Sequence, residues 1–249
     1  MSFKDKVVII TGASSGIGAV TAELFAKEKA SLSIVGRNDE RLKEVAEKCI
    51  KHGADTLVIK AEMTNDQDVN DIVEKTIDKY GKIDVLVNSA GIQKYASILD
   101  GRLMQDFDKI MNTNLRSVVL LTTLATPHLA KTKGNIVNVS SIFGSSFLGS
   151  SVCIAYCLSK AALNHFTRGA ALELSSIGVR VNSISPGATR TDILKHAGSD
   201  LTWEEIASNL KLDRVCEPEE IADMIMYNKS FRITQRFVPS RPNLLYQRS

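Results

Sequence analysis

A doubly wound parallel α/β sheet, with helices on both faces and in a single domain, is the fold class this sequence predicts. Two observations carry it. Short β-branched runs alternate with longer segments whose apolar residues recur at helical spacing, and strands joined by crossover helices give right-handed βαβ units. The length, 249 residues, also suits one α/β domain. No internal repeat, low-complexity tract or linker divides the core.

The elements follow in order. The run VVII (Val7–Ile10) reads as a strand buried on both faces. Ile17, Val20, Thr21, Leu24 and Phe25 then recur at helical spacing. LSIV (Leu32–Val35) is a second strand, and Leu42, Val45, Ala46 and Cys49 mark a helix ending near Gly53. TLVI (Thr56–Ile59) is a third strand. Thr64 and Gln67 predict a capping box before the stripe Val69, Ile72, Val73, Thr76. IDVLVN (Ile83–Asn88) is a fourth strand. One long helix is expected to carry Phe107, Ile110, Met111, Asn114, Leu115 and Val118 on one face. NIVNVS (Asn135–Ser140) is a fifth strand, followed by a helix through Tyr156 to Leu174 and a sixth strand, VRVNSI (Val179–Ile184).

Composition narrows the function. Apolar residues make up 44% and charged residues 24%, as in ordinary globular proteins. A net charge of +3, from 31 basic and 28 acidic residues, is too balanced to suggest nucleic acid or an anionic membrane as partner. No apolar run approaches the ~18 residues of a membrane span. MSFKDK leads straight into the first strand, so no signal peptide is expected. Four cysteines (Cys49, Cys153, Cys157, Cys216) do not suggest a disulfide framework. A reduced, cytoplasmic setting is the expectation. The histidines (His52, His128, His165, His196) are scattered, and Cys153 and Cys157 lack further ligands at metal spacing, so no metal site is expected.

Ligands of such sheets sit beyond the carboxyl ends of the strands. There, after the first strand, stands TGASSGIG (Thr11–Gly18). Glycine permits positive φ and close backbone approach, and the next helix opens with unpaired N–H groups and a partial positive charge. Gly12, Gly16 and Gly18 therefore form a candidate pyrophosphate cradle of a Rossmann-type fold. After the second strand, Gly36 occupies the position where an acidic residue would bind a free ribose, and Arg37 follows. An arginine can fork onto a 2′-phosphate, so NADP(H) is favoured over NAD(H).

YCLSK places Tyr156 and Lys160 four apart, on one helix face. A nearby ammonium favours the phenolate and can lower a tyrosine's pKa, which makes the pair a candidate proton donor or acceptor for a carbonyl oxygen or an alcohol. Ser140 and Ser141 end the fifth strand at the ligand crevice. Ser141 is preferred as a hydrogen-bond donor to the reacting oxygen, with Ser140, Ser145 and Ser146 open.

In sequence order, TGASSGIG, NSAG (Asn88–Gly91), MNTN ending in Asn114, NIVNVSS, YCLSK and SPG ahead of Thr191 make this chain resemble the short-chain dehydrogenase/reductase family across residues 7 to 191. The resemblance implies an oxidoreductase that moves hydride between a nicotinamide and a carbonyl or secondary alcohol. It implies Tyr156 as general acid/base, Lys160 lowering its pKa and holding the nicotinamide ribose, Ser141 orienting the carbonyl, and Asn114 holding a water of a proton relay. It places Ser14, Ser15 and Ile17 in the cradle with the glycines, Glu62 and Met63 at the adenine, and Asn88, Ala90 and Gly91 along the cofactor. Pro186, Gly187, Thr189 and Thr191 are expected near the nicotinamide. A homotetramer or dimer is expected, with substrate contacts from Gln93–Leu99, Gly144–Ala155 and Thr189–Leu212.

The chain departs from the family's pattern at Ser89, at Glu62 and Met63, and in a slightly longer Ser141–Tyr156 segment. The family helix EPEEIADMIMY (Glu217–Tyr227) is present. After residues 1–228 comes a basic tail, 229–249, with Lys229, Arg232, Arg236, Arg241 and Arg248 and no acidic residue. RITQRFV is expected to pair as an edge strand, with disorder beyond Pro239 and Pro242. A second reading of another class follows from that tail: a catalytically weak dinucleotide-binding sensor or partner subunit.

Overall fold

The structure is a computed structural model and describes residues 3–99, 101–146, 153–210, 212–230 and 238–239. Among the described residues seven strands form one sheet: β1 (Val7–Thr11), β2 (Ser31–Gly36), β3 (Thr56–Lys60), β4 (Val85–Asn88), β5 (Asn135–Val139), β6 (Arg180–Ser185) and β7 (Val238–Pro239). Their order is β3-β2-β1-β4-β5-β6-β7, and every pair is parallel. The helices are α1 (Gly16–Lys27), α2 (Asp39–Lys51), α3 (Asp66–Tyr80), α4 (Leu103–Met111), α5 (Ser117–Thr132), α6 (Ile154–Leu174), α7 (Ile193–Ala197), α8 (Trp203–Ser208) and α9 (Pro218–Ser230).

The apolar runs become strands covered on both faces because their side chains alternate between two cores. On β1, Val8 and Ile10 join Phe25 of α1, Leu42 of α2 and Ile221 of α9. Ile9 joins Ile72 of α3, Leu121 of α5 and Ala170 of α6 on the other face. The sheet is thus doubly wound, as expected. Its strand order reverses direction between β1 and β4, which opens a crevice at their carboxyl ends.

Three local expectations change. The cap of α3 is Asn65, not a Thr64 box: its side chain accepts from the N–H groups of Gln67 at 2.9 Å and Asp68 at 3.3 Å. Asparagine caps at least as well as threonine. The expected long helix is interrupted by a π-turn at Asn112–Arg116, between α4 and α5. The wider turn rotates the faces, so Asn114 is fully buried while Phe107 is half-buried. Of the segment expected as an edge strand only Val238 is described; with Pro239 it forms β7, with Ser185 opposite Pro239. Proline fits there because an edge position needs no further ladder donor. Arg232–Phe237 and Pro242 lie outside the described residues.

Asp84, ahead of β4, ties the sheet's centre together. Its carboxylate accepts from Val7 N at 3.0 Å and Lys6 Nζ at 2.8 Å, with Lys82 Nζ at 3.2 Å. Burial alone would raise its pKa, but the bonds from Lys6, Val7 and Lys82 outweigh burial and hold it below the ordinary 3.8. A depressed carboxyl pKa contributes stability that is present above the unfolded value and is lost as pH falls through the folded one. Asp84→Asn should therefore cost about 2 kcal/mol near neutrality, with the deficit shrinking below about pH 4. Urea denaturation of both proteins across pH checks this; a pH-independent deficit would contradict it.

Candidate active site

A cleft of about 1590 Å³ opens beyond the carboxyl ends of β1, β2, β4, β5 and β6. At its first wall, Gly12 has φ +70°, and a Cβ there would stand 2.9 Å from Ala90 backbone atoms. The β1–α1 turn is thereby pressed onto the segment after β4. Thr11 Oγ1 joins the same two segments by accepting from Ser89 N and Ala90 N, each at 3.1 Å. Ser15 is the N-cap of α1 and supplies no side-chain cap, and the first turn carries no acid. The opening N–H groups of α1 are therefore left to a ligand. This donor set fits a diphosphate, and the glycines leave room for it.

At the end of β2, a Cβ on Gly36 would lie 3.2 Å from Ser14 Oγ. Arg37 pairs with Glu62 at 3.7 Å, both side chains being half-exposed. Such an exposed pair is weak and screened, so the guanidinium can exchange its carboxylate for a phosphate.

At the other end, α6 brings Tyr156 and Lys160 into the cleft, both buried. Lys160 Nζ donates to Val139 O at 2.9 Å and stands 5.6 Å from the Tyr156 ring centroid. Burial lowers the Lys160 pKa from 10.5 to about 8. Tyr156 is pushed up to about 12, chiefly by burial; a hydrogen bond with Ser141 works against this, and Cys153 and Cys157 add to it. The Lys160 ammonium is directed at the Val139 carbonyl, and desolvation dominates the phenol. A neutral phenol can donate a proton to a carbonyl oxygen.

Ser141 is the serine beside Tyr156, and its Oγ also accepts from Phe143 N at 3.2 Å. Ser140 Oγ instead donates to Lys160 O at 3.2 Å, and Ser145 and Ser146 are exposed. Phe143 packs edge-on against Tyr156, 6.3 Å between ring centroids. Cys153 and Cys157 are buried with their sulfurs 3.6 Å apart. No group of three or more His, Cys, Asp or Glu with metal-holding geometry occurs among the described residues.

Gly12, Ser14, Ser15, Gly16, Ile17, Gly18, Arg37, Glu62, Met63, Ala90, Gly91, Pro186, Gly187, Thr189 and Thr191 all line the same cleft. Asn88 and Asn114 do not. Asn88 Nδ2 donates to Asn138 Oδ1 at 2.9 Å, and Asn138 Nδ2 to Thr167 Oγ1 at 2.9 Å, which ties β4 and β5 to α6. Asn114 lies behind the cleft and clamps Ile92. Its Oδ1 accepts from Ile92 N at 2.8 Å; its Nδ2 donates to Ile92 O at 2.9 Å and Ser159 Oγ at 3.1 Å. Both amide protons are thus engaged, leaving one acceptor site for a water.

The family model of the short chain dehydrogenases matches residues 6–202. The chain belongs to the short-chain dehydrogenase family. The 3-oxoacyl-(acyl-carrier-protein) reductase of Thermotoga maritima is 34% identical over 230 residues, covering 91% of each chain. A short-chain dehydrogenase/reductase of Caenorhabditis elegans, solved with cofactor, superposes with TM-score 0.86 at 35% identity, over 93% of this chain and 92% of that one. The glucose dehydrogenase of C. elegans superposes with TM-score 0.79 at 37% identity, over 94% of both. This short-chain dehydrogenase is accordingly an oxidoreductase with an NAD(P)-binding fold. No described helix is long and apolar enough to cross a membrane.

Two positioning residues of this short-chain dehydrogenase escape the sequence reading. Thr11 gives no signal beyond a hydroxyl at a strand end. Ser159, beside Lys160, accepts from Asn114 and donates to Tyr156 O at 2.7 Å; its neighbours are known only once the π-turn is.

The lysine has a stability consequence. Below about pH 8 the folded protein bears the whole penalty of its buried ammonium. Between about 8 and 10.5 the unfolded chain holds a proton that the folded one has released, so stability rises with pH across that window. Lys160→Met should therefore stabilise the fold by about 1–2 kcal/mol at neutral pH and flatten that rise. Urea denaturation at neutral and alkaline pH measures both; a destabilised variant would refute the buried-charge account.

Proposed function

We propose that this protein transfers hydride between NADP(H) and a ketone, aldehyde or secondary alcohol, with Tyr156 as the general acid/base. The observation that carries the reading is one continuous cleft. It joins the unpaired N-terminus of α1 and Arg37 at one end to Ser141, Tyr156 and Lys160 at the other. Fold relatives named as reductases and dehydrogenases support it.

The nicotinamide supplies or receives the hydride at its C4; the protein supplies position and a proton. The N–H groups of α1's first turn and Ser14 would hold the diphosphate, and Arg37 the 2′-phosphate. Glu62 and Met63 would border the adenine, and Pro186, Gly187, Thr189 and Thr191 the nicotinamide. Lys160 would hold the ribose hydroxyls. Ser141 and Tyr156 hydrogen-bond the carbonyl oxygen, and Tyr156 donates its proton as charge develops there. In the oxidative direction Tyr156 accepts that proton. Asn114 fixes the Ile92 backbone behind these groups.

Tyr156→Phe should lower kcat at least 100-fold and leave NADPH affinity within about twofold. Arg37→Ala should weaken NADPH at least tenfold while changing NADH little. Turnover assays and nucleotide titration followed by the fluorescence of Trp203 read both. Equal carbonyl turnover by wild type and Tyr156→Phe would favour the catalytically weak sensor or partner subunit.

A homodimer or homotetramer is part of the proposal. Leu158 and Leu172, on the same face of α6, are 44% and 77% exposed, and Val119 of α5 is 36% exposed. Exposed apolar side chains on these two helices suit a partner helix pair. A monomer by light scattering would remove this part. The free cysteines Cys49, Cys153, Cys157 and Cys216 accord with a reduced, cytoplasmic setting.

A further inference from the structure

Beyond the reacting groups, the substrate end of the cleft has a distinctive chemistry. Its walls come mainly from Tyr95, Phe143, Ile193, Leu194, Trp203 and Ile206; His196 lines it too, as do Ser208 and Asn209, which both donate to Glu205 O. The carboxylates bordering it are already engaged. Asp192 accepts from Arg41 at 2.7 Å. Glu205 closes a capping box with Thr202, accepting from its N–H at 2.7 Å. Apart from Lys160, no lysine or arginine among the described residues lines this end. Among the described residues a carboxylate or phosphate on the substrate would find no further counter-ion there. A polyhydroxylated sugar would leave most of its hydroxyls facing apolar walls, which is costly.

One polar group stands out. Gln93 lines the cleft and is 7% exposed, and its carboxamide has no hydrogen-bond partner among the described residues. It follows Ile92, which Asn114 holds on both sides. Two residues later Tyr95 packs against the cluster of Cys153, Tyr156 and Cys157. The backbone carrying Gln93 is therefore fixed beside the reacting groups. A largely buried carboxamide without a partner among the described residues, on a residue that lines the cavity, is complementary to a neutral oxygen, because it can both donate and accept.

We propose that the preferred substrate is a bulky, largely apolar ketone or secondary alcohol with a second, neutral oxygen near the reacting carbon, bound by Gln93. This rests on the hydride-transfer reading above and names the substrate class of that site. Gln93 is a specificity-determining residue on this account. Sites built to hydrogen-bond a substrate group reject analogues that lack it, since their own polar atom is then left unpaired.

The test compares matched ketones on the full chain with NADPH. 1-Phenyl-1,2-propanedione carries the second oxygen, 1-phenyl-1-propanone lacks it, and D-glucose with NADP+ stands for polar substrates. Wild type should prefer the dione in kcat/KM and turn over glucose least. Gln93→Met should reduce the ratio of dione to mono-ketone by roughly tenfold. The ratio cancels the greater intrinsic reactivity of the dione and any general damage to the site. If Gln93→Met fails to bind NADPH, Gln93→Leu takes its place. Calorimetric binding of both ketones to the Tyr156→Phe protein with NADPH gives a readout free of turnover, and the dione should bind more tightly.

A ratio unmoved by both variants, equal binding of the two ketones, or a higher kcat/KM for glucose overturns the inference while leaving the hydride-transfer reading intact. Selective binding of the dione with no turnover of any carbonyl has the opposite meaning. It overturns the hydride-transfer reading and sustains the pocket's preference for the second oxygen.

Discussion

A lysine ammonium 5% exposed at the wall of the cleft is the constraint on which the centre of this molecule depends. Lys160 has one carbonyl partner, Val139 O, at the end of β5. Taking a charge out of water is expensive unless its partners are fixed in place. That carbonyl is fixed from both sides. Ser140 N donates to Ile184 O at 2.7 Å and Ile142 N to Pro186 O at 3.0 Å, so the chain beyond β5 stays on β6. On the other side, a Cβ at Gly91 would lie 3.5 Å from Lys160 Nζ and 3.4 Å from Asn114 Oδ1. Lys160 thus sits between the backbone after β4, an asparagine behind it and a strand end in front. Tyr156, one helical turn earlier, takes its place from the same arrangement.

The π-turn belongs to that constraint. An uninterrupted helix through residues 103–132 would place side chains at a regular 3.6-residue spacing. The π-turn at Asn112–Arg116 turns Asn114 inward, where its carboxamide reaches both Ile92 and Ser159. π-turns are rare and recur at functional sites. Here the irregularity buys three hydrogen bonds for a fully buried amide, and it sets the loop that leads to Gln93.

Much of this was legible in the sequence, for identifiable reasons. Central parallel strands are covered on both faces, so VVII and LSIV stand out as unbroken apolar runs. The cradle shows because backbone geometry demands glycine, and Gly12 does take φ +70°. The π-turn was not legible, since no side-chain pattern distinguishes it from regular helix. Asn88 was placed along the cofactor by resemblance, but its carboxamide meets Asn138, its ladder partner in the β4–β5 register. Alternation fixes which face a strand residue takes only when the register is known. Gln93 was legible only as part of a loop, because its significance lies in having no partner.

The same distinction explains why the cofactor half of the cleft can be read from sequence and the substrate half cannot. The cofactor half is made by strand ends and by the first turn of α1, where the backbone itself is the ligand surface and only small residues fit. The substrate half is closed by α7 and α8, of five and six residues. No residue of α8 is buried, and Ala197 alone is buried in α7. These short helices are tied to the body through exposed ion pairs, Arg190 with Glu204 and Glu217 and Arg41 with Asp192, each of small individual worth. Elements with little buried surface have low local stability and tolerate many sequences. Their side chains are therefore free to follow the substrate rather than the fold. In this chain Ile193, Leu194, Trp203 and Ile206 are among the side chains they bring to the cleft, and Gln93, on the fixed backbone after β4, lines the same cleft.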